Sequence, residues 1–268
     1  MRYEQIELDV ANHFSECQRS FFRPFAKALH KRGRTNAASY LDNRCLAYID
    51  MKLTSALLLA IGAAHSASAH YIWTTLITDS TTSTAAVRQP QNNSPVTDVT
   101  SSDITCNVNP SSASETVDVP AGSTVGFQLD NTVYHQGPAA IYLGQAPGSA
   151  AEWDGSGANW FKIAEWGATF DPFTFTDYGA SQLTTTIPSD VPAGEYLVRI
   201  EQIGLHVPDA PQWYISCAQI NVTGGGSANP SKVSIPGYVS PDDPGLTVDI
   251  YDPVPTAYTV PGPAVFTG

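Results

Sequence analysis

From residue 70 onward, no stretch of this chain sustains the 3.6-residue apolar spacing of an amphipathic helix. Short β-rich runs recur instead, each closed by Gly, Pro, Asn or Asp. "ETVDVPAGSTVGFQL" reads as strand, Pro-Ala-Gly turn, strand, and "GPAAIYLG", "WFKIAEWG" and "SQLTTTIP" read as further strands. "PAGEYLVRIEQIGLH" and "QWYISCAQINVTG" are the clearest pair, with alternating or continuous apolar character. Twenty Gly and 20 Pro favour turns over long helices. The pattern predicts an all-β chain: an immunoglobulin/fibronectin-III-like β-sandwich of about 200 residues with long loops. The longest expected loops are Thr78–Cys106 and Gly167–Tyr178. Loops on a rigid sandwich are where function concentrates.

The sandwich begins well inside the chain. Met51-Lys52 supplies a start and a positive charge, residues 53–64 form an apolar run, and Ala67-Ser68-Ala69 forms a small-residue cleavage site. The run is shorter than the ~20 residues a transmembrane helix needs. This is the pattern of a secretory signal peptide over 51–69, so residues 1–50 are expected to be a gene-model extension or leader. The alternative is a genuine N-terminal region followed by an apolar core segment. Composition shifts at the same place: residues 1–50 carry eight Lys/Arg and six Asp/Glu, whereas the chain from His70 carries four and 19, a net of −15. Such an acidic chain is not a general binder of nucleic acid or anionic membrane. The expected organisation is a catalytic domain over 70–252 followed by a Pro-rich, extended tail over 253–268.

Cys106 and Cys217 are the two cysteines beyond the cut, and in a secreted chain two cysteines most simply make one disulfide. Asn92-Asn93-Ser94 and Asn221-Val222-Thr223 are sequons, making Asn92 and Asn221 glycosylation candidates.

His70, His135 and His206 are the histidines beyond the cut. Hydrolase serine elbows, His-Glu-x-x-His and phosphate-binding glycine loops are absent from the sequence. If cleavage follows Ala69, His70 becomes the first residue and offers two nitrogens, its α-amine and its imidazole. The amine, with a pKa of about 7.7–8.0, can yield its proton to a metal near neutral pH. A further imidazole completes a planar three-nitrogen set, and tetragonal nitrogen coordination favours copper. An internal His70 would present an amide nitrogen and could not do this.

Several of these motifs keep one order along the chain: "HYIW", "DVTSSDITCN", "YHQGPAAIYL", "WFKI", "GEYLVRIEQIGLH", "QWYISCAQINVTGGG" and "DPGLTVDIY". In that order they resemble the fungal lytic polysaccharide monooxygenases of auxiliary activity family 9, over about residues 70–251. The resemblance implies a secreted, copper-dependent oxidoreductase that cleaves cellulose chains at C1 or C4 with dioxygen or hydrogen peroxide. An external electron donor, a small reductant or a cellobiose dehydrogenase-like protein, would feed it. It implies that His70 and His135 bind copper, with Tyr214 at an axial position. His206 and Gln212 would hydrogen-bond the oxygen species, and Cys106 and Cys217 would form the family disulfide. Arg199 or Glu201 would belong to a polar network behind the site. Tyr71, Trp73 and Tyr238 are candidates to stack on sugar rings. The family usually reads "PGAY" where this chain reads "IPGYVSPDDPG". The loops before His135 and Cys106 are short, which bears on the width of the binding face. The competing readings are a non-catalytic copper protein, a sandwich that binds carbohydrate without metal, and a hydrolase. The acidic surface suggests a monomer.

Overall fold

A computed structural model describes residues 70–268. The leader, the signal segment and Cys17 and Cys45 lie outside these residues. Thirteen strands follow in order: β1 (Trp73–Thr78), β2 (Thr82–Ser83), β3 (Val87–Arg88), β4 (Val117–Pro120), β5 (Thr124–Leu129), β6 (Ala139–Gln145), β7 (Ala158–Trp166), β8 (Ala168–Phe170), β9 (Phe173–Phe175), β10 (Gln182–Thr186), β11 (Gly194–Gly204), β12 (Gln212–Thr223) and β13 (Val233–Ser234). The one α-helical turn among the described residues is Pro244–Thr247, capped by the Asp243 side chain on the Gly245 N–H.

A four-stranded sheet in the order β10-β5-β1-β2 faces a seven-stranded sheet whose path runs β13-β7-β6-β11-β12-β3, with β4 also on β12. The all-β sandwich expected from the sequence is therefore present. "ETVDVPAGSTVGFQL" does form strand, turn, strand, but its two strands do not pair. β4 runs parallel to β12 while β5 pairs with β1 and β10, so the Pro-Ala-Gly turn crosses from one sheet to the other. The two expected long loops also hold strands. Thr78–Cys106 contains β2, β3 and a 3₁₀ turn, and Gly167–Tyr178 is largely the β8–β9 hairpin.

β11 and β12 pair antiparallel over eleven positions, from Gly194 opposite Val222 to Gly204 opposite Gln212. Successive side chains point to opposite faces, and both faces are buried. Tyr196, Val198, Ile200, Tyr214, Ala218 and Ile220 enter the core between the sheets. Leu197, Ile203, Trp213, Ile215 and Cys217 enter a second core on the other face, covered by loops and by the β8–β9 hairpin. That is why both strands read as near-continuous apolar runs.

The second core also holds charge. Arg199 contacts Glu201 at 2.7 Å, and its guanidinium donates to the carbonyls of Ile104 and Thr105. Glu201 accepts from the hydroxyls of Tyr142 (3.0 Å) and Tyr238 (2.7 Å). Both arginine and glutamate of the expected network are thus inside it, and with them Tyr238. The Cys106–Cys217 disulfide closes beside them, with Cα atoms 5.3 Å apart and a sequence separation of 111. Closing a loop of that length stabilises the fold by up to about 4–5 kcal/mol in the chain-entropy model. The segment 253–268 has no regular structure, but it is docked rather than a free extension. The Pro261 carbonyl accepts from Lys162 Nζ, the Phe266 N–H donates to the Lys162 carbonyl, and the Phe266 ring meets Phe161 edge-on.

Candidate metal centre

The segment ahead of β1, two connections and the start of β12 supply the site. His70 precedes β1, His135 lies between β5 and β6, His206 lies between β11 and β12, and Gln212 and Tyr214 open β12. Reciprocal backbone–side-chain contacts fix the approach of His70. The Ile72 N–H donates to Asp130 Oδ1 at 2.9 Å, the Asp130 N–H donates to the Ile72 carbonyl, and Asn93 Nδ2 donates to the His70 carbonyl. His135 is held from β11: Gln202 Nε2 donates to its carbonyl at 3.1 Å. Gly137, at φ +153°, gives the chain its turn into β6, and a Cβ there would lie 1.7 Å from the Ile203 carbonyl oxygen.

Three rings converge. The His70 and His135 ring centres are 6.2 Å apart, and Tyr214 lies 5.8 Å from the first and 5.6 Å from the second. With metal–nitrogen bonds of about 2.0 Å and ring centres about 1.2 Å behind each nitrogen, imidazoles on opposite sides of one ion would sit about 6.4 Å apart. The observed separation fits one shared ion. Among the described residues no three His, Cys, Asp or Glu side chains converge. A metal here therefore needs a ligand of another kind beside the two imidazoles. The α-amine of a chain beginning at His70 would be such a ligand, and that donor set would suit copper rather than a conventional zinc or calcium site.

The surroundings are tuned. Gln212 and Tyr214 are two residues apart on one strand and share a face, and the Tyr214 hydroxyl donates to Gln212 Oε1 at 2.9 Å. Burial pushes the Tyr214 phenol above its ordinary range, so it remains a donor. His206 stacks on His135 with ring centres 3.7 Å apart and planes 10° apart, and its buried Nδ1 has no hydrogen-bond partner. Desolvation, and then the nearby His70, lower the His206 pKa, which favours its neutral form. Gly204 permits this stack, because a Cβ there would lie 3.0 Å from His206 Nδ1.

The aromatic candidates for sugar stacking need correction. Tyr71 is 2% exposed, Trp73 0% and Tyr238 7%. Tyr71 packs on Tyr214 at 4.3 Å and gives its hydroxyl to Gln202 Oε1; Trp73 fills the inter-sheet core; Tyr238 belongs to the Glu201 network. None has a free ring face. The ring at the rim is Tyr251, 55% exposed, whose hydroxyl donates to the His206 carbonyl at 3.0 Å. It closes the motif "DPGLTVDIY", yet nothing in the sequence distinguishes its exposure from that of its neighbours. Asn92 is exposed and Asn221 half-buried, donating to Asp118.

Residues 70–258 match the family model Auxiliary Activity family 9 (formerly GH61). The chain is 49% identical over 232 residues to an AA9 family lytic polysaccharide monooxygenase H of Malbranchea cinnamomea, covering 81% of this chain and all of that protein. It is 50% identical over 213 residues to the corresponding monooxygenase E of Podospora anserina, covering 76% and 71%. Among solved structures, a cellulose-active polysaccharide monooxygenase from M. thermophila superposes with a TM-score of 0.66 at 30% identity, covering 74% of this chain and all of that one.

Proposed function

The chain belongs to Auxiliary Activity family 9, the copper-dependent monooxygenases that cleave polysaccharides oxidatively, and from that premise we propose that it is a secreted enzyme acting on cellulose or a related β-1,4-glucan. The observation that carries the reading is the convergence of His70, His135 and Tyr214 where cleavage after Ala69 would free an amine. His70, through amine and imidazole, and His135 would hold the copper, with Tyr214 beside it. Copper bound there would supply one-electron redox chemistry toward dioxygen or hydrogen peroxide, with C1 or C4 of a glucose unit as the target. His206 is placed as a neutral ring beside the ligands and Gln212 as an amide fixed by the Tyr214 hydroxyl, so the polar groups near the reacting atoms are oriented beforehand. Dioxygen or peroxide and an external electron donor are the required co-reactants.

The decisive assay uses the chain beginning at His70, loaded with copper and given amorphous cellulose and ascorbate. Oxidised oligosaccharides are expected by mass spectrometry, and none without reductant or with His135→Ala. Unoxidised sugars released without reductant would instead indicate a hydrolase. Tyr251 is assigned to the polysaccharide face because it is the exposed ring bonded to the site. Tyr251→Ala is expected to weaken adsorption to cellulose about fivefold, the effect of losing one stacked ring worth ~1 kcal/mol. Copper affinity should be unchanged, and an unaltered adsorption isotherm would remove Tyr251 from the binding face.

A further inference from the structure

Between β9 and β10 the chain carries an acid that the chemistry above does not use. Asp177 is 0% exposed, and neither carboxyl oxygen makes a hydrogen bond. A carboxylate in that position would be an uncompensated buried charge. The groups that face it are Gln202 from β11, Tyr71 ahead of β1 and Tyr258 in the C-terminal segment. Burial holds both phenols above their ordinary range, so they are neutral, and among the described residues no cation acts on the acid. Burial pushes the Asp177 carboxyl up to about 8, against smaller downward pulls from its own backbone and from the Gln202 amide.

Its segment grips the His135 loop on both sides. The Gly179 N–H donates to the Val133 carbonyl at 2.7 Å, and the Val133 N–H donates to the Ala180 carbonyl at 2.8 Å. Beyond His135, Gln136 Oε1 accepts from the Phe175 N–H and Gln136 Nε2 donates to Thr174 Oγ1. From β11, Gln202 bonds the His135 and Gly137 carbonyls and takes the Tyr71 hydroxyl. Asp177 therefore sits where the 174–180 segment, Gln202 and Tyr71 close behind the His135 loop.

We propose that Asp177 is a positioning residue for His135: its uncharged carboxyl lets the 174–180 segment close on the loop, and loss of the proton loosens that clamp. A carboxylate must be solvated, and opening the segment's bonds to Val133 and Gln136 would admit water to it. The polysaccharide oxidase proposed above would then lose copper affinity relative to a chain with an uncharged residue at 177 as the pH rises through the titration of this acid. The consequence for copper rests on reading His135 as a ligand; the clamp does not.

The direction with pH follows from linkage. An unfolded aspartate titrates near 3.9, whereas the folded acid keeps its proton until about 8. The folded state therefore binds more protons between these values, and stability falls as pH rises through that window. The test compares the native chain with Asp177→Asn. In the metal-free proteins, the melting temperatures should agree near pH 4, and by pH 8 the variant should melt at least about 5 °C higher. Native exchange at the Val133 and Gly179 amides, corrected for intrinsic pH dependence, should accelerate about tenfold from pH 6 to 9, and the variant's should not. Copper affinity of the native chain relative to the variant should fall about tenfold over the same range. A pH-independent gap in melting temperature overturns the proposal, as does unchanged exchange at both amides. So does a ¹³C-carboxyl titration of the native chain that places Asp177 near 4, a measurement that needs no variant. A chain that binds no copper at all would fail the proposed function while leaving the metal-free measurements to judge Asp177.

Discussion

A single glycine left ahead of His70 is expected to abolish oxidative activity and to weaken Cu(II) binding by roughly two to four orders of magnitude. The extra residue turns the amine into an amide and removes both a nitrogen ligand and its chelate ring. Each ~1.4 kcal/mol lost is tenfold in affinity. The metal-free fold should not notice, because the contacts that anchor this end, Asn93 on the His70 carbonyl, the buried Tyr71 and Asp130 on Ile72, all lie at or after His70 and are kept in the extended chain. Thermal melts with and without copper make the comparison direct. A tight ligand at 1,000 times its dissociation constant stabilises by about 4.1 kcal/mol, so a chain beginning at His70 should gain a large upward shift and the extended chain, at about ten times its own constant or less, no more than about a third of it. Equal shifts would mean that the amine is not a ligand, and the reading of the site would have to be rebuilt on the His70 and His135 imidazoles and Tyr214.

The largest expected effect on stability lies on the other face of the same sheet. Glu201→Ala leaves the Arg199 guanidinium fully buried without its counter-charge and strands the hydroxyls of Tyr142 and Tyr238. Removing one partner of a buried pair costs about 3–5 kcal/mol. For a domain of this size each ~1 kcal/mol moves the melting temperature by about 2–4 °C, so a drop of roughly 6–20 °C is predicted. The double variant Arg199→Met/Glu201→Leu should recover the part owed to the uncompensated charge, but not the part owed to the Tyr142 and Tyr238 hydroxyls, and it also leaves the Ile104 and Thr105 carbonyls without the guanidinium. A loss under ~1 kcal/mol in the single variant would show that water reaches the pair.

What could be read in advance followed the local rules of strands. The apolar continuity of β11 and β12 is a property of their own residues, and so is the two-residue spacing that puts Gln212 and Tyr214 on one face. Partnership across the sandwich is not local. β4 and β5 are joined by a three-residue turn yet enter different sheets, because β12 offers β4 an open parallel edge. Exposure was the quantity sequence could not deliver. Tyr71, Trp73, Tyr238 and Tyr251 are all aromatics near turns or strand ends. Tyr71 and Trp73 are interior because they enter the core between the two sheets, and Tyr238 because the second face of the large sheet is roofed, and strand alternation alone does not reveal a roof. The histidines proposed as ligands were legible for a different reason: the chemistry they offer is set by residue type and by where a peptide bond would be cut. Gln202 and Asp177 carry no such mark, since their roles come from what the fold stacks behind His135.

The loop-roofed second core also bears on how this scaffold can be re-engineered. Exchanging surface loops between relatives treats them as detachable ornaments on a finished frame. Here the Ile104–Thr105 carbonyls, the Cys106 bridge and Tyr238 are interior parts of that frame, tied to Arg199, Cys217 and Glu201. A graft that spans residues 104–106 or 235–238 carries half of a core into a host that holds the other half. The β8–β9 hairpin offers a cleaner seam only at its tip, where Phe170 is exposed, because Phe175 at its base is buried in the second core and bonds Gln136. Chimeras that exchange residues 169–172 alone should inherit a new surface without inheriting a mismatched interior.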